Sequence, residues 1–201
     1  IVLSESNTSY FGVRFLPGYN PVLGSADIMS HLVNHRIPLD DLIQDRRMLE
    51  GICSATDFRQ QIRVFMRSYM SIYRRVCPQE HQNLLVLHSS NLMIRFAGSI
   101  SIEQLAEDTG YTTRYIDKCF RNETGLSPKQ LAKIVRFQSA ISALNQNQHI
   151  GRSLTEIAAD LGYFDQSHFV HDFKAYTGLT PKKYQIMLRN DDFDEKLRIV
   201  Q

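Results

Sequence analysis

Hydrophobic residues set two different periods along this chain. Between Tyr10 and Phe15, Phe11, Val13 and Phe15 alternate with Gly12 and Arg14, the two-residue period of a half-buried strand, and Pro17-Gly18 closes it. Beyond that point the period is helical. Ala26, Ile28, Met29, Leu32 and Val33 fall on one helical stripe, and Leu39, Leu42 and Ile43 open a short helical pattern after Pro38. Asp57 is the expected N-cap of a helix carrying Phe58, Ile62, Phe65, Met66, Tyr69, Ile72 and Tyr73, which Pro78 ends. A second long helix is expected from about Gln79 to Phe96, with Leu84, Leu85, Leu87, His88, Leu92 and Ile94 in it and Gly98 as its stop. A boundary near Pro78 then separates a partial α+β domain, residues 1–77, from a helical domain at 78–188, and an acidic tail occupies 189–201.

The helical domain contains an internal repeat. SIEQLAEDTGY, Ser101 to Tyr111, aligns with SLTEIAADLGY, Ser153 to Tyr163. After a one-residue insertion in the second copy, FRNETGLSPKQL from Phe120 aligns with FKAYTGLTPKKY from Phe173. In each copy a serine, Ser101 or Ser153, caps a short helix with glutamate in its first turn, Leu105 or Ile157 points inward, and Ala106 or Ala158 permits a close crossing. Gly110 and Gly162 supply a left-handed turn, Tyr111 and Tyr163 are expected to pack beneath it, and Thr112 and Asp165 cap the next helix. Short helix, glycine turn and capped second helix make a helix-turn-helix.

Within that second helix, Ile116 and Phe120, matched by Phe169 and Phe173, anchor one face to a core. The other face carries Thr113, Arg114, Asp117, Lys118 and Arg121 in the first copy, and Gln166, Ser167, Val170, His171 and Lys174 in the second. Arg and Lys donate to guanine, Gln pairs with adenine, Asp accepts from cytosine and Val meets a thymine methyl, so these are side chains suited to base edges. His168 borders the packed face. The exits TGLSP and TGLTP give a glycine stop, a hydroxyl cap and proline at the first helical position, placing Lys129, Lys182 and Lys183 near helix N-termini that suit a phosphate. Expected phosphate contacts are Thr112, Arg121, Lys129, Asp165, Lys174, Lys182 and Lys183. Between the copies, Lys129 to about Gln146 is helical in pattern, with Ile134, Phe137, Ile141 and Leu144 on one side. Its length of about 27 Å approaches the roughly 34 Å between successive major-groove segments on one duplex face. One chain would thus read an asymmetric site.

Composition adds limits rather than identity. The 201 residues, 43% of them hydrophobic, suffice for one ordinary core or two small ones, and no apolar run reaches the roughly 20 residues that span a bilayer. The opening residues lack a secretion-signal layout and begin with Ile, as the continuation of something longer would, and a cytoplasmic location is expected. Cys53, Cys77 and Cys119 are far apart and odd in number, which argues against a disulfide framework or zinc site; all three read as reduced, mostly packed thiols. A net charge of +2 discriminates nothing.

With these motifs in view, the segment from about Gln79 to Leu188 resembles the AraC/XylS regulators. The resemblance rests on IEQLAEDTGYTTRYIDKCFRNETGLSPKQL, the connector IVRFQSAISAL and LTEIAADLGYFDQSHFVHDFKAYTGLTPKKY in that order. It implies a mainly α fold: a seven-helix domain of two helix-turn-helix lobes joined by a connector helix. It also implies contact with promoter DNA and often RNA polymerase, with Arg114, Asp117, Lys118, Gln166, Ser167 and His171 at base-reading positions. Cys119 and Asp172 depart from a pattern that often has basic residues there, Asp117 adds negative charge near DNA, and the acidic tail has no counterpart. More weakly, FGVRFLPGYNPVLGS followed by RIPLDDL is similar to the last strand and following helices of the sensory domains attached to some relatives, where a small-molecule effector would bind. The chain is read as a monomer or homodimer.

Competing readings are weaker. Two similar hairpins of a solenoid would need more copies. An enzyme needs a convergent constellation, and none is found; no cofactor loop occurs, and His31 and His35 would make only half of a metal site. A second hypothesis is a ligand-binding or protein-interaction module with silent helix-turn-helix units. Tyr69, Tyr73 and the row Arg59, Arg63, Arg67, Arg74 and Arg75 would then dominate.

Overall fold

A computed structural model describes residues 11–15, 35, 38, 45–76, 83–147 and 150–189. Among these the regular structure is helical: α1 (Arg46–Cys53), α2 (Phe58–Val76), α3 (Leu84–Arg95), α4 (Ile102–Thr109), α5 (Thr113–Thr124), α6 (Pro128–Gln146), α7 (Leu154–Asp160), α8 (Gln166–Thr177) and α9 (Pro181–Arg189). Seven of them, α3 to α9, lie between Leu84 and Arg189. None of the described helices is long and apolar enough to cross a membrane. The described residues fall into two compact units, one of 11–91 and 102–128, the other of 92–101 and 129–189.

In the first unit, Asp57 caps α2 as expected, its carboxylate accepting from the Gln60 amide at 2.7 Å. Asp45 does the same for α1, accepting from Met48 at 3.3 Å. These helices meet around buried Met48 and Ile72, with Ile52 and Phe65 against them. Phe11–Phe15 carries no strand, which corrects the expected α+β character of residues 1–77: the regular structure described there is helical. A strand needs a neighbour for its amides and carbonyls, and none lies among the described residues. The alternating aromatics serve another purpose, gripping one helix. Phe11 lies 5.9 Å from Phe58 and 6.2 Å from Phe65, and Phe15 lies 5.1 Å from Tyr69. The stripe from Ala26 to Val33, the pattern at Leu39, Leu42 and Ile43, His31, Cys77 and the tail beyond Arg189 lie outside the described residues.

The expected helix from Gln79 starts at Leu84, where Asn83 caps it by accepting from the Val86 amide at 3.4 Å. Its buried positions are Val86, Ser89, Ser90 and Met93, while Leu84 and Ile94 are exposed. The inward face is a helical i, i+3, i+4, i+7 set that two serines conceal from a hydrophobicity reading. Of the cysteines, Cys119 is buried as expected and Cys53 is exposed, contrary to a packed role.

The second unit shows why its helices begin and end where they do. α3 runs out through two left-handed residues, Ala97 at φ 50° and Gly98 at φ 75°, with the Gly98 amide donating to the Met93 carbonyl at 2.7 Å. The Gly98 carbonyl then receives both Nε (3.2 Å) and Nη2 (2.8 Å) of Arg136 on α6. That guanidinium also lies over the Tyr163 ring, 5.3 Å from its centre. Asn147 closes the far end of α6. It is buried, donates to the Arg152 carbonyl at 2.8 Å and accepts from the Arg152 amide at 2.6 Å, so both halves of its amide are satisfied. The core of this unit joins Ala140, Ile141 and Leu144 of α6 to Ile157, Ala158, Leu161, Tyr163, Phe169, Phe173 and Tyr184.

Candidate nucleic-acid interface

Each copy of the repeat is a helix-turn-helix, α4–α5 in one unit and α7–α8 in the other. Ser153 caps α7 through a complete capping box: its Oγ accepts from the Glu156 amide at 3.2 Å, and its own amide donates to the Glu156 carboxylate at 2.7 Å. That amide, with the Ser153 hydroxyl donating to the same carboxylate at 2.8 Å, holds the Glu156 carboxyl below its ordinary range, so this half of the capping box is complete above that range and lost as pH falls through the lowered value. Gly110 (φ 73°) and Gly162 (φ 69°) make the left-handed turns. The second helices are capped as the repeat predicts. Thr112 Oγ1 accepts from the Tyr115 amide at 3.2 Å, and the Asp165 carboxylate accepts from the His168 amide at 2.7 Å. Gly125 and Gly178 end those helices in the left-handed conformation.

Thr124 and Thr177, just before these glycines, have a role the sequence reading missed. The Thr124 hydroxyl lies 2.7 Å from the Phe120 carbonyl, and its oxygen accepts from the Leu126 amide at 3.2 Å. Thr177 repeats the pattern with Phe173 at 2.9 Å and Leu179 at 3.0 Å. One hydroxyl therefore ties the last helical turn to the outgoing loop in both copies, and the recurrence of TGL was the signal for it.

Four aromatic and aliphatic anchors, Ile116, Phe120, Phe169 and Phe173, are fully buried. The opposite face is open. Arg114, Lys118, Gln166, Ser167 and His171 are exposed and Asp117 is half-buried, so all six proposed base-reading side chains are on solvent-facing surface of α5 or α8. Thr112, Arg121, Lys129, Asp165, Lys174, Lys182 and Lys183 are exposed too, the last two in the first turn of α9 behind buried Pro181. On α5, Arg114, Lys118 and Arg121 line a shallow hollow with Tyr115 and Asn122. Asp117 bonds to Arg121 Nε at 2.7 Å there, which offsets the negative charge that Asp117 brings to this face. The Asp165 carboxylate is engaged as a cap and has no proton to offer a phosphate, whereas the Thr112 hydroxyl keeps one.

Cys119 and Asp172, the two departures from the basic pattern, turn away from this face. Cys119 is 8% exposed. The aligned Asp172 side chain is 16% exposed and sits 3.6 Å from His168 Nε2 and 3.8 Å from His171 Nδ1. The two tyrosines part company. Tyr163 is buried as expected, and burial pushes its hydroxyl up to about 12, whereas Tyr111 is 49% exposed and stacks on Tyr115 with ring centres 5.1 Å apart. The turn of the first copy is one residue shorter, which leaves Tyr111 one step before the cap and within reach of a side chain four positions on.

Comparison with known proteins agrees with this construction. Residues 105–186 match the family described as a helix-turn-helix domain. An uncharacterized HTH-type transcriptional regulator of Haemophilus influenzae is 37% identical over 84 residues, 42% of this chain and 27% of that protein. The XylDLEGF operon transcriptional activator of Pseudomonas putida is 30% identical over 83 residues, covering 41% of this chain and 26% of the activator. The HTH-type transcriptional activator AarP of Providencia stuartii is 27% identical over 103 residues, 51% of this chain and 71% of AarP. The matched stretch thus spans about a quarter of the first two relatives. Residues 105–186, in which the helix-turn-helix is built twice, are thus similar to the helix-turn-helix domains of these transcriptional regulators.

Proposed function

We propose that this chain is a sequence-specific DNA-binding transcription regulator in which α5 and α8 each enter a major-groove segment of promoter DNA. The observation that carries this reading is the two-sidedness of both helices: bulky anchors fully buried, base-compatible side chains outside. Arg114, Asp117 and Lys118 read one segment, and Gln166, Ser167 and His171 read the next. Arg121, Lys129, Lys174, Lys182 and Lys183, with the Thr112 hydroxyl, hold phosphates, and Asp165 contributes as the cap that aims α8. Because the two faces differ, the site is asymmetric. Residues 78–188 act as the DNA-binding domain in a cytoplasmic protein that works as monomer or homodimer, with RNA polymerase as a partner and any effector bound by the preceding domain.

Base and phosphate contacts separate in a binding titration at several salt concentrations. Arg114→Ala is expected to cost about 1–3 kcal/mol on the preferred sequence and relax preference at one base pair. Lys182→Ala is expected to weaken binding evenly across sequences and reduce the salt slope by about one. Equal loss on all sequences for Arg114→Ala contradicts its base-reading role.

A second reading, a protein-interaction module, draws on α2. Phe58, Ile62, Met66 and Met70 are exposed at four-residue spacing, beside exposed Arg67, Arg74 and Arg75. No DNA binding and no sequence enrichment from protein shown to be folded would favour it.

A further inference from the structure

Gln166, the first residue of α8, is held from outside its own helix. The Thr155 hydroxyl on α7 donates to Gln166 Oε1 at 2.7 Å. We propose that Thr155 is a positioning residue that sets the base preference of Gln166, turning its amide nitrogen outward as a hydrogen-bond donor. The proposal deepens the DNA-reading assigned above and rests on it.

A glutamine amide is ambivalent: its oxygen accepts, its nitrogen donates, and a half-turn of the terminal torsion exchanges them. An unconstrained Gln166 can therefore offer its oxygen to cytosine N4 or adenine N6, or its nitrogen to purine N7, guanine O6 or thymine O4. With Oε1 drawn toward α7, the nitrogen is the half left free. The chemistry recognised is then a base edge presenting an acceptor.

Both ends of this hydrogen bond are anchored. Thr155 lies inside the Ser153–Glu156 capping box, two residues before Ile157 and three before Ala158, each 1% exposed. Gln166 follows the Asp165 cap, three residues before fully buried Phe169. The backbone on each side is thus fixed by the core, and the bond has only side-chain freedom left to restrain. A reading group ordered before DNA arrives loses less entropy on binding and tolerates fewer alternatives. The donor and acceptor are exposed, so the bond contributes little to folding, and its consequence lies in recognition.

The test is selection of bound sequences from random duplex DNA by the full chain and its variants. Gln166→Ala marks the position that Gln166 reads by flattening preference there. Thr155→Val, which keeps the side-chain shape and removes the hydroxyl, is expected to lower discrimination at that same position about two- to tenfold, with other positions and the unfolding midpoint unchanged. Thr155→Ser is expected to retain the preference. In the Gln166→Ala background, Thr155→Val is expected to add nothing. The proposal is overturned if Thr155→Val leaves that position unchanged, alters all positions alike, or acts undiminished in the Gln166→Ala background. It is overturned equally if Gln166→Ala flattens no position. If the unaltered protein, shown to be folded, enriches no motif, the DNA-reading itself fails and the Thr155 role falls with it.

Discussion

Gly98→Ala is expected to destabilise the chain by about 3–5 kcal/mol, a large share of a typical domain's stability. Two costs combine. Gly98 sits at φ 75°, where a side chain costs about 1–2 kcal/mol. A Cβ there would also lie 2.2 Å from the Ala132 carbonyl oxygen and 2.6 Å from the Arg136 amide nitrogen, both backbone atoms of α6. Backbone cannot rotate aside, so α6 must shift. That would loosen the fork from Arg136 to the Gly98 carbonyl and the guanidinium over Tyr163. Gly110→Ala is the control: φ is 73°, but a Cβ there meets nothing within 4 Å, so only the conformational cost of about 1–2 kcal/mol remains. Denaturant unfolding of both variants checks the difference. Equal losses would mean that the close approach of Gly98 to α6 carries no weight.

Phe173→Ala is expected to cost a comparable amount, about 3–5 kcal/mol. Its ring is fully buried and meets Phe137, Phe169 and Tyr184 at centre distances of 5.6, 5.9 and 5.4 Å. Alanine leaves a hole ringed by three aromatics tied to different helices, which cannot all close on it. Because this ring fixes α8 against α6 and α9, DNA affinity should fall with stability. Phe164→Ala gives the contrast. That ring is 93% exposed in the turn, and its loss should change stability by no more than about 0.5 kcal/mol. A Phe173→Ala loss below about 1 kcal/mol in an unfolding titration would contradict the packing described.

The repeat made most of the C-terminal fold legible, because each of its features has a local cause. The Ser153, Thr112 and Asp165 caps, the left-handed glycines and the spacing of Ile116, Phe120, Phe169 and Phe173 all depend on residues within one or two turns, and the structure bears them out. Features that depend on distant partners were less visible. The alternation of Phe11 and Phe15 has the period of a strand, but what decides the conformation is whether another strand pairs with it, and both rings face α2 instead. Tyr111 and Tyr163 occupy equivalent positions, yet burial of Tyr163 comes with Arg136 from another helix and a turn lengthened by Phe164. The buried face of α3 was hidden by Ser89 and Ser90, which no hydrophobic pattern selects. At the proposed interface, residue types and exposed positions could be read from sequence. The Asp117–Arg121 pair, the inward turn of Cys119 and Asp172, and the Thr155–Gln166 bond required coordinates.

Selection from random duplex DNA at two salt concentrations decides whether one chain reads DNA with two unlike helices. The unaltered protein, Arg114→Ala and Gln166→Ala would be run in parallel. One asymmetric motif in two parts about one helical turn apart is expected, the first part relaxed by Arg114→Ala and the second by Gln166→Ala. No enrichment at either salt from folded protein, or one variant relaxing both parts equally, would contradict it.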